Sequence, residues 1–396
     1  MRRTVTAVAA VAAVAVLAGG CGKKNDNGSA GSGGGSAASG GASKSSAASM
    51  SASPTASGSA GPTASGGPVT GGTGFKVCLV LDTGGVNDKS FNQSAYQGAQ
   101  NAAKKNPKIK VSYVQSKSGA DYQPNLENSA KKGCNEIIAT GGLLAKATAT
   151  AAKKYPKVHF ALIDDSLTAP IKGPNVYSMA FRSEQGSYEA GYVAAAISKS
   201  HVIGTWGGIN VGPQVTAYMD GYQQGAAHYD QKNGTKTTVL GWNGKTGSFL
   251  GPPNGFNDPT GGKSLSQTQI QQGADVIFPV AGGSGAGALS AATSAGGKVS
   301  VIWVDFPGCT NYPDDCKYIP TSSLKNIPAQ VQKYAVDGAA GKIATGIYVG
   351  TLKNGGVGID GFNQWDSKIS SKTKSDLTAI TKGINDGSIK ITVHGG

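Results

Sequence analysis

Val77-Cys78-Leu79-Val80-Leu81-Asp82-Thr83-Gly84-Gly85-Val86-Asn87-Asp88-Lys89-Ser90-Phe91-Asn92 is the stretch that decides the fold. A short unbroken apolar run closed by a glycine turn is the pattern of a strand buried on both faces, as in a parallel sheet. Beyond the polar loop, Phe91, Ala95, Ala99 and Ala102 recur at helical spacing, which predicts a helix over residues 91–105 with that face on the sheet. Strand, loop and helix in that order place a carboxylate (Asp82), an aromatic face (Phe91) and an amide (Asn92) at the carboxyl end of a strand. Open α/β sheets bind small molecules there.

The same alternation continues outward. Strands are expected at residues 76–81, 109–115, 136–140 and 159–163, with helices at 124–132 and 145–154 between them. After Val176-Tyr177-Ser178-Met179-Ala180 the pattern restarts: strands at 202–206, 237–241, 275–280 and 299–304, helices at 215–229, 263–272 and 286–295. Two successive doubly wound units predict an α/β protein of two parallel-sheet lobes joined by a hinge and facing each other across a cleft. The expected boundaries are 75–182 for the first lobe, with 321–345 returning to it, and 183–320 for the second, with 346–396 finishing there.

The residues before this body read as an address and a tether. Met1-Arg2-Arg3 is a short cationic start, and residues 5–18 are small and apolar. At about fourteen residues this run is too short to cross a bilayer and has the length of a signal-peptide core. It ends in Leu17-Ala18-Gly19-Gly20-Cys21, which resembles the bacterial lipobox. Residues 1–20 are therefore expected to be removed and Cys21 lipidated, anchoring the protein to the outer side of the cell membrane without spanning it. An ordinary secretory peptide with an incidental cysteine is the alternative. Residues 21–74 are mostly Gly, Ser, Ala, Thr and Pro, too poor in apolar surface to fold, and are expected to be a disordered tether. A flexible coil of that length reaches on the order of 40 Å.

The charge balance of 36 basic to 22 acidic residues raises the question of nucleic acid. The lysines are scattered in ones and twos, with no basic stripe interleaved by aromatics, so nucleic-acid binding is not expected. Attraction to an anionic envelope is the milder consequence. With Cys21 set aside, four cysteines remain, an even number that suggests pairing in an exported protein. Cys309 and Cys316 bracket a short loop, which favours a local bridge. Cys78 and Cys134 each open a predicted strand; adjacent parallel strands would join them, and two buried free thiols are the alternative. Neither pair has zinc-ligand spacing, and the four histidines are scattered, so no metal and no cofactor is expected.

Gly283-Ser284-Gly285-Ala286-Gly287-Ala288 follows a predicted strand and opens a helix, and Asp305 ends the next strand. That is the outline of a dinucleotide fingerprint and would imply an extracellular oxidoreductase. In weaker form the same logic lets backbone N–H groups approach a sugar while an aspartate grips its hydroxyls. Asp164-Asp165 is no acid/base pair, since neighbours on an extended chain point to opposite faces. No nucleophile elbow, zinc-protease motif or histidine beside a serine appears, so catalysis is not expected.

Beyond the opening stretch, Phe181-Arg182-Ser183-Glu184-Gln185-Gly186, Phe256-Asn257-Asp258-Pro259, Gly273-Ala274-Asp275-Val276-Ile277-Phe278 and Thr321-Ser322-Ser323-Leu324-Lys325-Asn326 follow in order. Together with Asp82 to Asn92 they resemble the basic membrane protein family, nucleoside-binding lipoproteins that serve ABC importers. The resemblance implies the two-lobed fold of type I periplasmic binding proteins, a monomer, ABC permease subunits as partners, and a nucleoside, purine type favoured, as ligand. It implies a base stacked between Phe91 and Tyr218, Asp82 and Asn92 hydrogen-bonding the ligand, and Asp305 and Lys325 serving the ribose. Gly283 would allow close backbone approach. A free sugar or another small polar metabolite in the same fold is the alternative ligand, and a sensing lipoprotein the alternative role. Two departures bear on the cleft: residues 245–255 form an extra glycine- and proline-rich segment, and Phe306-Pro307-Gly308 with the cysteine loop replaces a second acidic residue after Asp305.

Overall fold

The computed structural model describes residues 74–394, so residues 1–20, Cys21 and nearly all of the 21–74 segment lie outside the described residues. The chain begins with β1 (Phe75–Leu81), α1 (Phe91–Lys105), β2 (Ile109–Gln115), α2 (Tyr122–Lys131), β3 (Glu136–Thr140), α3 (Ala145–Lys154), β4 (His159–Ile163) and β5 (Val176–Phe181). It continues through α4 (Ser183–Ile197), β6 (Val202–Gly207), α5 (Pro213–Asn233), β7 (Thr238–Leu240), α6 (Pro259–Gln271), β8 (Val276–Val280) and α7 (Ala286–Ser294). The remainder is β9 (Ser300–Val301), β10 (Trp303–Asp305), α8 (Gly308–Asn311), β11 (Ser322–Lys325), α9 (Ile327–Ala339), β12 (Gly346–Gly350), β13 (Val357–Ile359) and α10 (Ser371–Asp386).

Three sheets result among the described residues. The first is six-stranded in the order β12-β5-β4-β3-β1-β2, with every pair parallel. The second, β7-β6-β8-β9, is also parallel throughout. In each, the strand order reverses beside the first strand of the unit, between β1 and β3 and between β6 and β8. Those reversals open crevices at the carboxyl ends of the strands, because the flanking helices leave in opposite directions. The third sheet is small: β10 runs parallel to β11, and β13 pairs with β11 antiparallel.

Burial follows the sequence pattern. Val77, Leu79, Val80 and Leu81 are wholly buried, as expected of a central strand covered on both faces. Ala95, Ala99 and Ala102 press α1 onto the sheet, and α9 crosses α1 at Gly98, where any side chain would strike Pro328 and Val331. Two disulfides lock local geometry. Cys78 in β1 joins Cys134 just before β3, with Cα atoms 6.0 Å apart, and Cys309 joins Cys316 across the loop after β10.

The expectation that residues from 346 onward finish on the second lobe needs correction. β12 is an edge strand of the first sheet, parallel to β5, before the chain leaves for β13 and α10. Without it β5 would end the sheet with a row of unpaired backbone groups. The strand expected at 299–304 is likewise divided: β9 pairs with β8, and after Ile302 the chain bends into β10 to pair with β11.

Candidate functional site

Both strand-order reversals open onto one cavity. Its wall takes Asp82 from the end of β1, Gly141 and Gly142 after β3, and Asp164 after β4. From the second sheet it takes Val280, Ala281 and Gly282 at the end of β8, and Gln214, Val215 and Tyr218 from α5. Asp305 and Lys325, at the ends of β10 and β11, close it from the third sheet. Of the seven residues expected to bind ligand, Asp82, Phe91, Asn92, Tyr218, Asp305 and Lys325 line this cavity.

The β1–α1 loop is organised around Asp88. Its carboxylate accepts the backbone N–H groups of Ser90, Asn92 and Gln93 at 2.8–3.1 Å, capping the first turn of α1 from two residues upstream. That fixes Phe91 and Asn92. Asn92 Nδ2 donates to Asp82 Oδ1 at 2.7 Å and to Asp88 Oδ2 at 3.0 Å, and Gly84 N–H reaches Asp82 Oδ1 at 2.8 Å. One face of Asp82 is thereby satisfied, while Asn92 Oδ1 is buried without a partner. Burial pushes the Asp82 carboxyl up to about 7, with the Asn92 and Gly84 hydrogen bonds opposing the rise. Near neutral pH this group exchanges between accepting and donating a hydrogen bond.

The opposite wall is built on Asp305. Its Oδ1 accepts the Tyr218 hydroxyl at 2.5 Å, and its Oδ2 accepts Ser90 Oγ at 3.1 Å. Burial, and then the negative Asp305, drive the Tyr218 phenol well above its usual range, so it stays a donor. Lys325 Nζ lies 2.7 Å from Asp164 Oδ2 and 3.8 Å from Asp305 Oδ1, with its side chain almost fully buried. It also stands 5.3 Å from the centre of the Phe91 ring and 4.9 Å from that of Tyr218, within cation–π range of both. Burial raises the Asp164 carboxyl, and the Lys325 charge opposes that rise. Asp164 and Asp305 both adopt left-handed backbone at strand ends (φ 64° and 65°), a conformation that aspartate tolerates better than most residues. The wall thus carries four aspartate side chains and one lysine, so it suits a ligand rich in N–H and O–H groups.

Gly283 requires correction. It does not line the cavity; its neighbour Gly282, with φ 53°, does. The tight turn after β8 aims Gly283 at the backbone of Asp88 and Phe256, where it lets two loops pack. The rest of that glycine run is engaged in packing too. Ser284 Oγ accepts the Asp258 N–H and donates to Gly255 O, and Gly285 lies against the Trp303 ring. Gly287 is in close contact with the start of α6. These contacts leave no phosphate cradle, which removes the dinucleotide reading of the motif.

Several wall residues were not assigned a role by sequence. Phe256 follows the extra segment 245–255, which folds over the end of β6 through the Leu250 N–H to Gly207 O bond (3.1 Å) and so delivers the ring to the cavity. Asp164 was visible only as half of an acidic doublet; Asp165 turns away to Ser178 and the Ile171 N–H. The cysteine loop also contributes at a distance. Asn311 donates to Lys89 O at 2.6 Å and accepts from Gln93 at 2.8 Å, bracing the loop that holds Phe91.

Paired parallel sheets whose strand-order reversals enclose one polar and aromatic cavity define a solute-binding protein of the two-lobed type. Comparison with known proteins narrows that class. Residues 75–392 match the Bmp family model, described as ABC transporter substrate-binding protein PnrA-like. The chain belongs to this family, and it is a binding protein rather than an enzyme. It is 32% identical to the ABC transporter nucleoside-binding protein BmpA of Lactococcus lactis, over 77% of this chain and 87% of that one. It is 31% identical to an uncharacterized lipoprotein of Pyrococcus horikoshii, over 81% of this chain and 79% of the relative. Among solved structures, a solute-binding protein of an Aeropyrum pernix ABC transporter system superposes with a TM-score of 0.72 at 25% identity, covering 81% of this chain and 94% of that one.

Proposed function

We propose that this protein captures nucleosides, purine type favoured, on the outer side of the cell membrane and delivers them to an ABC permease. The observation that carries the reading is the convergence of Phe91, Asp82, Asn92, Asp305 and Lys325 on one cavity. An aromatic face takes a base, contributing about 1–3 kcal/mol. Asp82 and the unpartnered Asn92 Oδ1 receive donors on the base edge. Asp305 and Lys325 take the ribose hydroxyls, and Tyr218 holds Asp305 in place through its hydroxyl rather than stacking. Phe256, from the second lobe, is the better candidate to face Phe91 across the base.

The cavity as it stands encloses about 50 Å³, whereas small-molecule sites run to roughly 300–1,000 Å³. Capture therefore requires the lobes to open, and closure over the ligand gives the shape that a permease reads. Lipidation at Cys21 and a flexible 21–74 tether would keep the body near its permease, in keeping with relatives named as lipoproteins.

A thermal-shift panel tests this. Inosine, guanosine or adenosine at a hundred times its dissociation constant adds about 2.7 kcal/mol of stability. Ribose, myo-inositol and nicotinamide cofactors leave the midpoint unmoved. A response to ribose with none to any nucleoside overturns the proposal.

A further inference from the structure

The edge of the first sheet opposite the cavity has its own character. In a parallel α/β layer every helix ends, and every strand begins, at the same edge. Here three of the helices reach that edge in lysine, α1 in Lys104 and Lys105, α2 in Lys131, α3 in Lys153 and Lys154, whereas α9, which leads into β12, has no basic residue in its last turn. The turns that follow add Lys108, Lys132 and Lys157, all exposed. Backbone hydrogen bonds join these turns side by side: Phe75 N–H to Lys108 O, Asn135 N–H to Lys76 O, and His159 N–H to Asn135 O.

Residues 104–110, 131–135 and 153–159 contain no aspartate or glutamate. The nearby acids are Glu127, paired with Lys154, Asp337, paired with Lys333, and Glu136, which is fully buried. Lysine at a helix carboxyl end complements the helix dipole, which accounts for some of these residues. It does not account for Lys108 or Lys157, nor for the exposed apolar residues at the β12 end of the same edge. Ile343 and Ile347 are two of the three large apolar side chains exposed among the described residues, and both sit where β12 enters this edge. The chain preceding Phe75 also joins the body here, since β1 starts at this edge.

We propose that this lysine-rich edge, with Ile343 and Ile347, is a docking face for an anionic phospholipid surface. Clustered lysines gather at anionic headgroups, and a few apolar side chains among them enter the interface. Strands of five to seven residues separate this face from the cavity by about 20 Å. Docking would therefore turn the cavity away from the lipid and orient the body on its tether.

The test is co-sedimentation of the full-length chain with vesicles of phosphatidylcholine alone or with about 30% phosphatidylglycerol, at low and high salt. The expected result is binding to the anionic vesicles at least tenfold stronger than to the neutral ones, lost at high salt. Lys104→Glu, Lys105→Glu, Lys153→Glu and Lys157→Glu together abolish that excess and leave ligand-induced thermal shift intact. Reversing Lys199, Lys236, Lys298 and Lys390, exposed on the other lobe and tail, lowers it less than threefold. Equal loss in the two sets would show a net-charge effect only and overturn the proposal. Equal binding to both vesicle types, or binding to soluble polyphosphate polymer but not to vesicles, would overturn it as well.

Discussion

Lys325→Met removes the one ammonium in the cavity wall and leaves two buried carboxylates facing each other. Nζ is 2.7 Å from Asp164 and 3.8 Å from Asp305, and the side chain is almost wholly out of water. Breaking a buried pair by deleting one partner costs about 3–5 kcal/mol, because the remaining charge has lost its compensation. A body of about 320 residues unfolds with an entropy of roughly 0.7 kcal/mol/K, so the loss lowers Tm by about 4–7 °C. The effect depends on pH in a definite direction. Burial already raises the Asp164 carboxyl and Lys325 holds it down, so removing the lysine raises it further. A carboxyl with a raised folded-state pKa stabilises the native state while protonated and loses that contribution as pH climbs. The deficit is therefore larger at pH 8 than at pH 5, and Asp164→Asn added to Lys325→Met recovers most of it without restoring ligand affinity. Thermal melts of the three proteins at both pH values measure this. A Tm for Lys325→Met within 1 °C of the parent at pH 8 would refute the reasoning.

Phe91→Ala weakens nucleoside affinity more than tenfold by calorimetry, in line with about 1–3 kcal/mol for one stacked base, while the far-UV spectrum is unchanged. Asp82, pushed up to about 7 by burial, makes affinity depend on pH between 6 and 8, and Asp82→Asn flattens that profile; an identical profile in the variant counts against contact with the ligand. Glu136 is fully buried with neither carboxylate oxygen partnered, and burial raises it to about 8. Its contribution is present at pH 5 and lost as pH rises toward 8, so Glu136→Gln matches the parent at pH 5 and exceeds it in Tm above pH 8. A variant less stable than the parent at pH 9 contradicts that assignment.

Much of the architecture was legible because α/β repeats announce themselves. The expected strands at 109–115, 136–140 and 159–163 and the helix at 91–105 coincide with β2, β3, β4 and α1. α4 gave no helical signal, since nearly all of its residues are buried and no polar face alternates with an apolar one. β12 was misplaced because a glycine-flanked edge strand carries no alternation that says which sheet it joins. At the site, Asp82, Phe91, Asn92 and Asp305 were placed by position at strand ends and a first helical turn, whereas Tyr218 and Lys325 came only from the family resemblance. Phe256 and Asp164 were not assigned, because their approach depends on a loop folding back over β6 and on a left-handed turn after β4. Glycine position was the weakest reading: one step along the turn after β8 exchanges Gly283 for Gly282 at the cavity wall.

A crystal structure of the protein grown with inosine tests the central claim most directly. The base is predicted to lie on the Phe91 ring with its edge within hydrogen-bond reach of Asp82 or Asn92, and the ribose hydroxyls to contact Asp305 and Lys325. Inosine bound elsewhere on the surface, or this cavity filled by a ligand that leaves Phe91 and Asp305 untouched, would contradict the account.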